Sequence, residues 1–343
     1  MPGPFPTCDD RPIWDIWLSS IWLPAITVAT ELGVFESLAD GPQPSNAVAT
    51  KLKLQPRGCD TLMRMLVALD LMTLHEGAYQ LTPVARQYLL RDDPCFWGHV
   101  WPAYSASSAN HLRLRDALRI KRPAQDDGLT DLPPVAVWET GQVTLEQAGR
   151  IASFMNSHSM AAAAGLARSG AASGVKRLLD VGGGSGCFAI ALAEADPALR
   201  ATILDLPAMC QVARDYIRSG GVGERVDTVS VDFFREAWPP GYDAHFFSNV
   251  FHDWSFETCA DLAAKSFAAL PSGGSILLHE MLLDDTGTGP RTAAAFSMLM
   301  LAGTRGQQFT FAELRGILAG AGFTGIAVRP TYGYYSLVSG HKP

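Results

Sequence analysis

Leu179-Asp180-Val181-Gly182-Gly183-Gly184-Ser185-Gly186 reads as a strand, a glycine turn and the start of a helix. Glycines there let the backbone turn tightly and let a nucleoside ligand approach closely. Asp205 closes the next strand-like run, where a carboxylate can accept hydrogen bonds from both hydroxyls of a ribose. The turn lacks the Gly-Lys-Ser/Thr of a phosphate-binding loop. The dinucleotide pattern G-x-G-x-x-G requires a glycine where Cys187 stands, and Asp180 would sit awkwardly beside a pyrophosphate. Asp180 suits a cation instead. S-adenosylmethionine carries an ammonium and a sulfonium and no phosphate, so it fits these residues; a turn made only for packing is the plainer alternative. Asp232-Phe233 closes the third strand-like run and would suit the amino group and face of an adenine, or could be an ordinary strand-end turn.

A second group follows in Ser248-Asn249-Val250-Phe251-His252-Asp253-Trp254. A histidine at the carboxyl end of a parallel strand points into the ligand cleft, and its ordinary pKa of about 6.5 suits a general base near neutral pH. Glu280, in Leu278-His279-Glu280, should reach the same rim. A carboxylate beside the ring nitrogen not used for chemistry would fix the tautomer and stabilise the imidazolium. His252, His279 and Glu280 also raise the idea of a metal held by two histidines and a carboxylate. Neighbours on a strand point to opposite faces, so His279 and Glu280 should not share an ion, and no metal is expected.

These residues need a scaffold that gathers strand ends. Strand-like runs stand at 177–181, 201–206, 226–231, 244–250 and 275–280, with helical stretches at 187–195, 208–219, 257–270 and 311–322 between and after them. That alternation predicts an α/β fold with a doubly wound parallel sheet, whose ligands sit beyond the carboxyl ends of the strands. Earlier, residues 43–91 read as helix, turn, helix and a two-stranded wing: Ser45 is expected to cap a short helix, and Leu62, Met63, Met65, Leu66 and Leu69 repeat at helical spacing. Residues 13–35 hold three of the eight tryptophans and are apolar almost all round, which predicts a helix buried on several sides and an oligomer interface. Residues 92–170 look helical, with 122–134 as the best linker.

The chain has 343 residues, 48% of them hydrophobic and 18% charged, enough to bury a large core in about two domains. Its 27 basic and 34 acidic side chains give a formal charge of −7. A winged helix could make the protein a DNA-binding regulator, but residues 1–100 carry 7 Lys/Arg against 11 Asp/Glu. DNA needs a basic face, so no nucleic-acid partner is expected. The six cysteines form no CxxC pair, which fits a reducing compartment. The apolar run from Ile16 to Thr30 is interrupted by Pro24 and reads as too short to span a bilayer. The expectation is a cytoplasmic protein with no membrane partner.

LLDVGGGSG, ILDLP, HDWS and LLHE, in this order and spacing, resemble the S-adenosylmethionine-dependent O-methyltransferases of the caffeic acid and acetylserotonin type. Bacterial relatives from natural-product pathways look most similar, and the likeness covers nearly the whole chain. The segment 60–91 is similar to that family's winged-helix dimerisation domain. The resemblance implies a Rossmann-like class I methyltransferase domain over 174–343, a mostly helical dimerisation domain over 1–100, and a helical linker over 101–173 that contributes to the substrate pocket. It implies a homodimer that binds S-adenosylmethionine, releases S-adenosylhomocysteine and methylates a phenolic or enolic hydroxyl of a small aromatic acceptor. The cofactor residues it implies are Gly182, Asp205, Leu206, Asp232 and Phe233, with Ser159 and Ser248. His252 is the implied base and Glu280 its orienting carboxylate. Met155 and Met298 match positions that grip the acceptor ring, in a pocket to which Phe154, Phe296 and Met300 would also lend apolar, adaptable surface. One departure stands out: where the family often has Gly-x-Glu-Arg-Thr, this chain has Gly306-Gln307-Gln308-Phe309-Thr310. Gln308 can hydrogen-bond but cannot balance an imidazolium charge, which leaves C- or N-methylation, or a reaction without methyl transfer, as alternatives on the same scaffold.

Overall fold

The computed structural model describes residues 6–105, 107–119, 138, 140–170 and 172–343. The expected linker at 122–134 lies outside the described residues. The chain divides into two compact units. One comprises Pro12–Leu129 and Leu283–Thr310; the other comprises Met1–Arg11, Thr130–Leu282 and Phe311–Pro343. These units cut the chain elsewhere than at 100 and 173, because the segment 283–310 folds with the N-terminal helices.

In the first unit the apolar stretch forms helices α1 (Arg11–Ser19) and α2 (Trp22–Glu31) and a single turn, α3 (Val34–Ser37), rather than one helix. Arg11–Glu31 is, among the described residues, the one helical stretch long and apolar enough to cross a membrane, and half of that window is buried within the fold. Trp14, Leu18, Ile21, Ala25 and Val28 are buried, whereas Ile13 and Ile16 are 69% and 70% exposed. Helix α4 (Ser45–Leu52) begins at Ser45, but Pro44 occupies the cap position and no side chain caps it. The next helix, α5 (Pro56–Ala68), is better punctuated: Gln55 accepts from the Gly58 N–H at 2.5 Å and Pro56 fills the first turn, where a missing N–H costs nothing. Leu62, Met63, Met65 and Leu66 are fully buried along it. The wing is the antiparallel hairpin of β1 (Met72–His75) and β2 (Ala78–Leu81). Helices α6 (Pro83–Leu89), α7 (Pro102–Ser105) and α8 (Ala109–Leu118) follow.

The second unit opens on α9 (Leu145–Arg168), whose start is fixed by a capping box: Thr144 Oγ1 accepts from the Gln147 N–H and Gln147 Oε1 from the Thr144 N–H. Then β3 (Arg177–Val181), α10 (Cys187–Ala195), β4 (Arg200–Asp205), α11 (Pro207–Ser219), β5 (Val226–Ser230), β6 (Ala244–Ser248), α12 (Phe256–Ala269) and β7 (Ser275–Met281) alternate. The first unit regains the chain for α13 (Arg291–Gly303), which packs on α5 and α8. The second then closes with α14 (Phe311–Gly320), β8 (Thr324–Tyr332) and β9 (Tyr335–His341). Its seven strands run in the order β5-β4-β3-β6-β7-β9-β8. The five strands expected from sequence are parallel, as a doubly wound sheet requires. The last two join at one edge through antiparallel pairings, β9 being the strand that runs against the others. β8 is mostly exposed, so its sequence lacks the apolar run that marks a buried strand.

The carboxyl ends of β3, β4, β5 and β6 therefore rise side by side. The chain reverses direction in the sheet order at β3, which leaves a crevice above it, the usual ligand position in such sheets.

Candidate active site

The glycine turn after β3 is shaped by its neighbours. Gly182 adopts φ +70°, the left-handed region that favours glycine. A Cβ on Gly183 would lie 2.7 Å from the Asp180 carboxyl, so the close approach of turn and carboxylate depends on that glycine. Asp205, at the end of β4, holds the turn from the other side: its Oδ2 accepts from the Gly184 N–H at 2.9 Å and its Oδ1 from the Leu206 N–H at 2.7 Å. Each oxygen keeps a lone pair. Burial first of all pushes the Asp205 carboxyl up to about 6, against the pull of those two N–H groups.

Above the turn opens a cleft with about 930 Å³ of empty space, the open solvent at its mouth included. Gly182, Asp205, Leu206, Asp232, Phe233, Ser248, Ser159 and Met155 all line it. Residues far apart in sequence thus converge on one cleft. Asp232 also serves its own turn: it pairs with Arg235 at 2.6 Å and accepts from the Phe234 and Arg235 N–H groups. Burial there is outweighed by these bonds, which hold the carboxyl below the usual range. The Phe233 and Phe234 rings lie 4.4 Å apart, with Trp254 4.6 Å from Phe234, giving the cleft an aromatic wall. Ser185 donates to Asn156 Oδ1, tying the glycine turn to α9.

Asp180 is the most buried acid that lines the cleft. It is 1% exposed, and its Oδ2 is buried with no hydrogen bond among the described residues. An unanswered buried carboxylate oxygen is costly, and a ligand cation in the cleft that Asp180 lines would answer it. Burial, then the nearby charge of Asp205, push its pKa up to about 7 from 3.8. A raised carboxyl pKa contributes stability that is complete below 3.8 and lost as pH rises through about 7. Ligand-free Asp180→Asn should therefore melt above the wild type at alkaline pH, the gap closing toward about pH 4, while its S-adenosylmethionine affinity falls by roughly tenfold or more. Thermal melts across that range check this; equal melting temperatures at high pH would contradict it.

His252 does not stand at the strand end itself. β6 stops at Ser248, Asn249 turns the chain at φ +54°, and His252 lies in the following 3₁₀ turn, Phe251–Asp253. Glu280 on β7 organises that turn. Its Oε1 accepts from the Val250 and Phe251 N–H groups at 3.2 and 3.1 Å, satisfying donors that a helix start leaves open. Its Oε2 lies 2.9 Å from His252 Nδ1. Both side chains are buried. Burial alone would lower the His252 pKa, but the charge and hydrogen bond of Glu280 carry it above its ordinary value. Asp253 Oδ1 is 3.8 Å from His252 Nε2, and Asp253 rather than His252 lines the cleft. Burial raises the Asp253 carboxyl to about 6. His158 on α9 is pushed down to about 4 by burial and then by the charge of His252.

His279 and Glu280 do point to opposite faces: His279 bonds Ser248 and Thr331 while Glu280 faces His252. Met298 belongs to the first unit, where it is fully buried on α13, and Phe296 beside it packs 5.6 Å from Trp14 as core. Gln308 is likewise fully buried in that unit, its backbone N–H donating to Ser297 Oγ at 3.1 Å. Cleft residues that the sequence reading did not single out include Trp138, Ile151, Phe234, Trp254 and Asp253. Asp253 and Trp254 carried a signal, since they adjoin His252; Trp138 carried none.

Known proteins with this architecture share more than the sheet. Residues 126–324 match the family model of the O-methyltransferase domain, and residues 14–91 that of the O-methyltransferase dimerisation domain. The chain is 36% identical to the 3-hydroxy-5-methyl-1-naphthoate 3-O-methyltransferase of Streptomyces sahachiroi, over 87% of this chain and 84% of that one. It is 30% identical to the acetylserotonin O-methyltransferase of Bos taurus, over 92% of each chain. The crystal structure of an O-methyltransferase family 2 protein from Planctomyces limnophilus in complex with apigenin superposes with a TM-score of 0.87 at 28% identity, covering 99% of this chain and 98% of that one. A glycine turn after the first strand of the parallel sheet, a buried acid beside it and these matches over most of the chain lead to one assignment: the chain belongs to the S-adenosylmethionine-dependent O-methyltransferases of small molecules, with their dimerisation domain ahead of the catalytic one.

Proposed function

We propose that His252 is the general base that takes the proton from a phenolic or enolic hydroxyl of a small aromatic acceptor, with Glu280 holding its ring. The 2.9 Å ion-pair contact between His252 Nδ1 and Glu280 Oε2 carries this reading. It keeps the proton on Nδ1 and leaves Nε2 as the basic nitrogen. S-adenosylmethionine supplies an activated methyl on a sulfonium, so the chain's task is alignment, proton removal and exclusion of water. On this reading Asp180 meets the ammonium, Asp205 the ribose hydroxyls and Asp232 with Phe233 the adenine, while Gly182, Leu206, Ser248 and Ser159 shape the cofactor cleft. Met155, on the lining, grips the acceptor. The naphthoate and acetylserotonin relatives support an aromatic acceptor class. We further propose a homodimer through the N-terminal unit, where Ile13 and Ile16 leave an apolar edge exposed, and a cytoplasmic location, in keeping with six cysteines that are all free thiols.

Glu280→Gln tests the base assignment. A glutamine amide donating to Nδ1 would move the ring proton to Nε2, the nitrogen that must be bare. The expected result is a fall in kcat of ~10²-fold or more. With the glutamate charge gone the His252 pKa drops, so the acid limb of kcat/KM moves to lower pH. An unchanged pH profile would rule out the pairing as the source of basicity.

A further inference from the structure

His279 has no part in the proton transfer, yet it is fully buried and hydrogen-bonded at both ring nitrogens. Nδ1 lies 3.1 Å from Ser248 Oγ, its register partner on β6. Nε2 lies 2.9 Å from Thr331 Oγ1 on β8. The proton positions follow from counting. The Thr331 hydroxyl has one proton and gives it to the Tyr335 carbonyl at 3.1 Å, because a carbonyl can only accept. Toward His279 it therefore offers a lone pair, so Nε2 must carry a hydrogen. Burial pushes the His279 pKa down to about 3, and its ring is stacked on Tyr335 at 4.9 Å; near neutral pH it carries a single proton. Nδ1 is then an acceptor and Ser248 its donor. With its proton committed, Ser248 Oγ turns only lone pairs to the cleft it lines.

Topology indicates which ligand group that oxygen meets. β6 lies on the opposite side of β3 from β4 and β5, whose ends carry Asp205 and Asp232. If those acids hold the nucleoside, the end of β6 faces the amino-acid end. Asp180 is paired in register with Phe246, two residues before Ser248, so Asp180 and Ser248 share a face of the sheet. An oxygen that can only accept, beside a buried carboxylate, suits an ammonium and would repel a carboxylate. We propose that His279 is a positioning residue which, backed by Thr331, fixes Ser248 Oγ as a hydrogen-bond acceptor for the ammonium of the bound cofactor. This rests on the cofactor-site reading given above.

The test pairs ring spectroscopy with calorimetry. Two-bond nitrogen–proton correlation spectra of the wild-type protein should show His279 as the neutral Nε2–H tautomer; an Nδ1–H or doubly protonated ring would overturn the proposal without any variant. Ser248→Ala should weaken S-adenosylhomocysteine by ~10-fold but change the affinity of its des-amino analogue, which keeps the carboxylate, by less than about twofold. Thr331→Val removes the acceptor at Nε2, lets the ring proton move to Nδ1 and turns the Ser248 proton toward the cleft. It should weaken S-adenosylhomocysteine by roughly 3–10-fold with the tautomer visibly switched, and Thr331→Ser should restore both. Equal losses for the two ligands in Ser248→Ala would overturn the proposal, even while Asp205→Ala still abolished binding and upheld the cofactor site. If Asp205→Ala bound normally, the site reading itself would fall. Should Thr331→Val not fold, the wild-type spectrum and the two-ligand comparison decide alone.

Discussion

Replacing His252 with alanine should lower kcat by ~10²–10⁴-fold, the usual size of a general-base contribution, while S-adenosylhomocysteine affinity changes by less than about twofold. The separation follows from position. His252 lies against Glu280 and is not part of the lining of the cleft that holds the proposed cofactor residues, so its loss leaves Asp180 and Asp205 untouched. The methyl donor is already activated; the acceptor oxygen is not. A phenol is a far weaker nucleophile than its phenolate, and on the proposed mechanism Nε2 takes the proton as the oxygen attacks. The deficit should therefore shrink with acceptor acidity, almost vanishing for a phenol ionised at the assay pH. Because Glu280 holds the His252 pKa above its ordinary 6.5, wild-type kcat/KM should climb as pH rises past that value, the neutral ring being the active form. Single-turnover rates across a series of phenols check both points. A uniform loss at every acceptor pKa would mean that His252 positions the acceptor without deprotonating it.

Asp205→Ala should reduce the affinity for S-adenosylmethionine and S-adenosylhomocysteine by ~10²-fold or more. Two losses combine. On the proposed reading the ribose hydroxyls lose a charged acceptor that is itself buried, where such a bond counts most. The Gly184 and Leu206 N–H groups lose theirs as well, so the glycine turn no longer has the carboxylate that holds it open. Asp205→Asn separates the two, since its one carbonyl oxygen can serve a single N–H and its amide cannot accept. An intermediate loss is expected, with Asp205→Ala the weaker binder. Calorimetric titration gives both numbers, and an Asp205→Ala protein that binds like the wild type would remove Asp205 from the cofactor site.

Much of this was legible in the chain because strand ends carry local signals. LLDVGGGSG announces a strand, a turn and a helix start within nine residues, and Asp205, Asp232 and Ser248 at or just past later strand ends line the cleft. The positions of β3, α10 and their glycine turn agree closely with that reading. The reading was weaker wherever a residue's role depends on partners remote in sequence. β8 went unseen because an exposed edge strand needs no apolar run. The N-terminal apolar stretch was read as a single helix, since composition reports burial but not where the chain breaks between Ser19 and Trp22. Phe296 was read as pocket surface, and it is core against Trp14, a choice made by packing between segments some 280 residues apart.

What the sequence by itself determined is the order of elements and the residues stationed at their ends: an acid before the glycine turn, an acid closing β4, a histidine with a carboxylate in reach. These follow from local periodicity and from the turn and strand-end rules, which act over a few residues. Only the tertiary structure decided which oxygen of Glu280 meets His252, that its other oxygen organises the 3₁₀ turn, and that His279 faces the other way with its proton settled by Thr331. Hydrogen-bond donors and acceptors must be matched across β6, β7 and β8 at once, and that matching exists only when the strands are side by side.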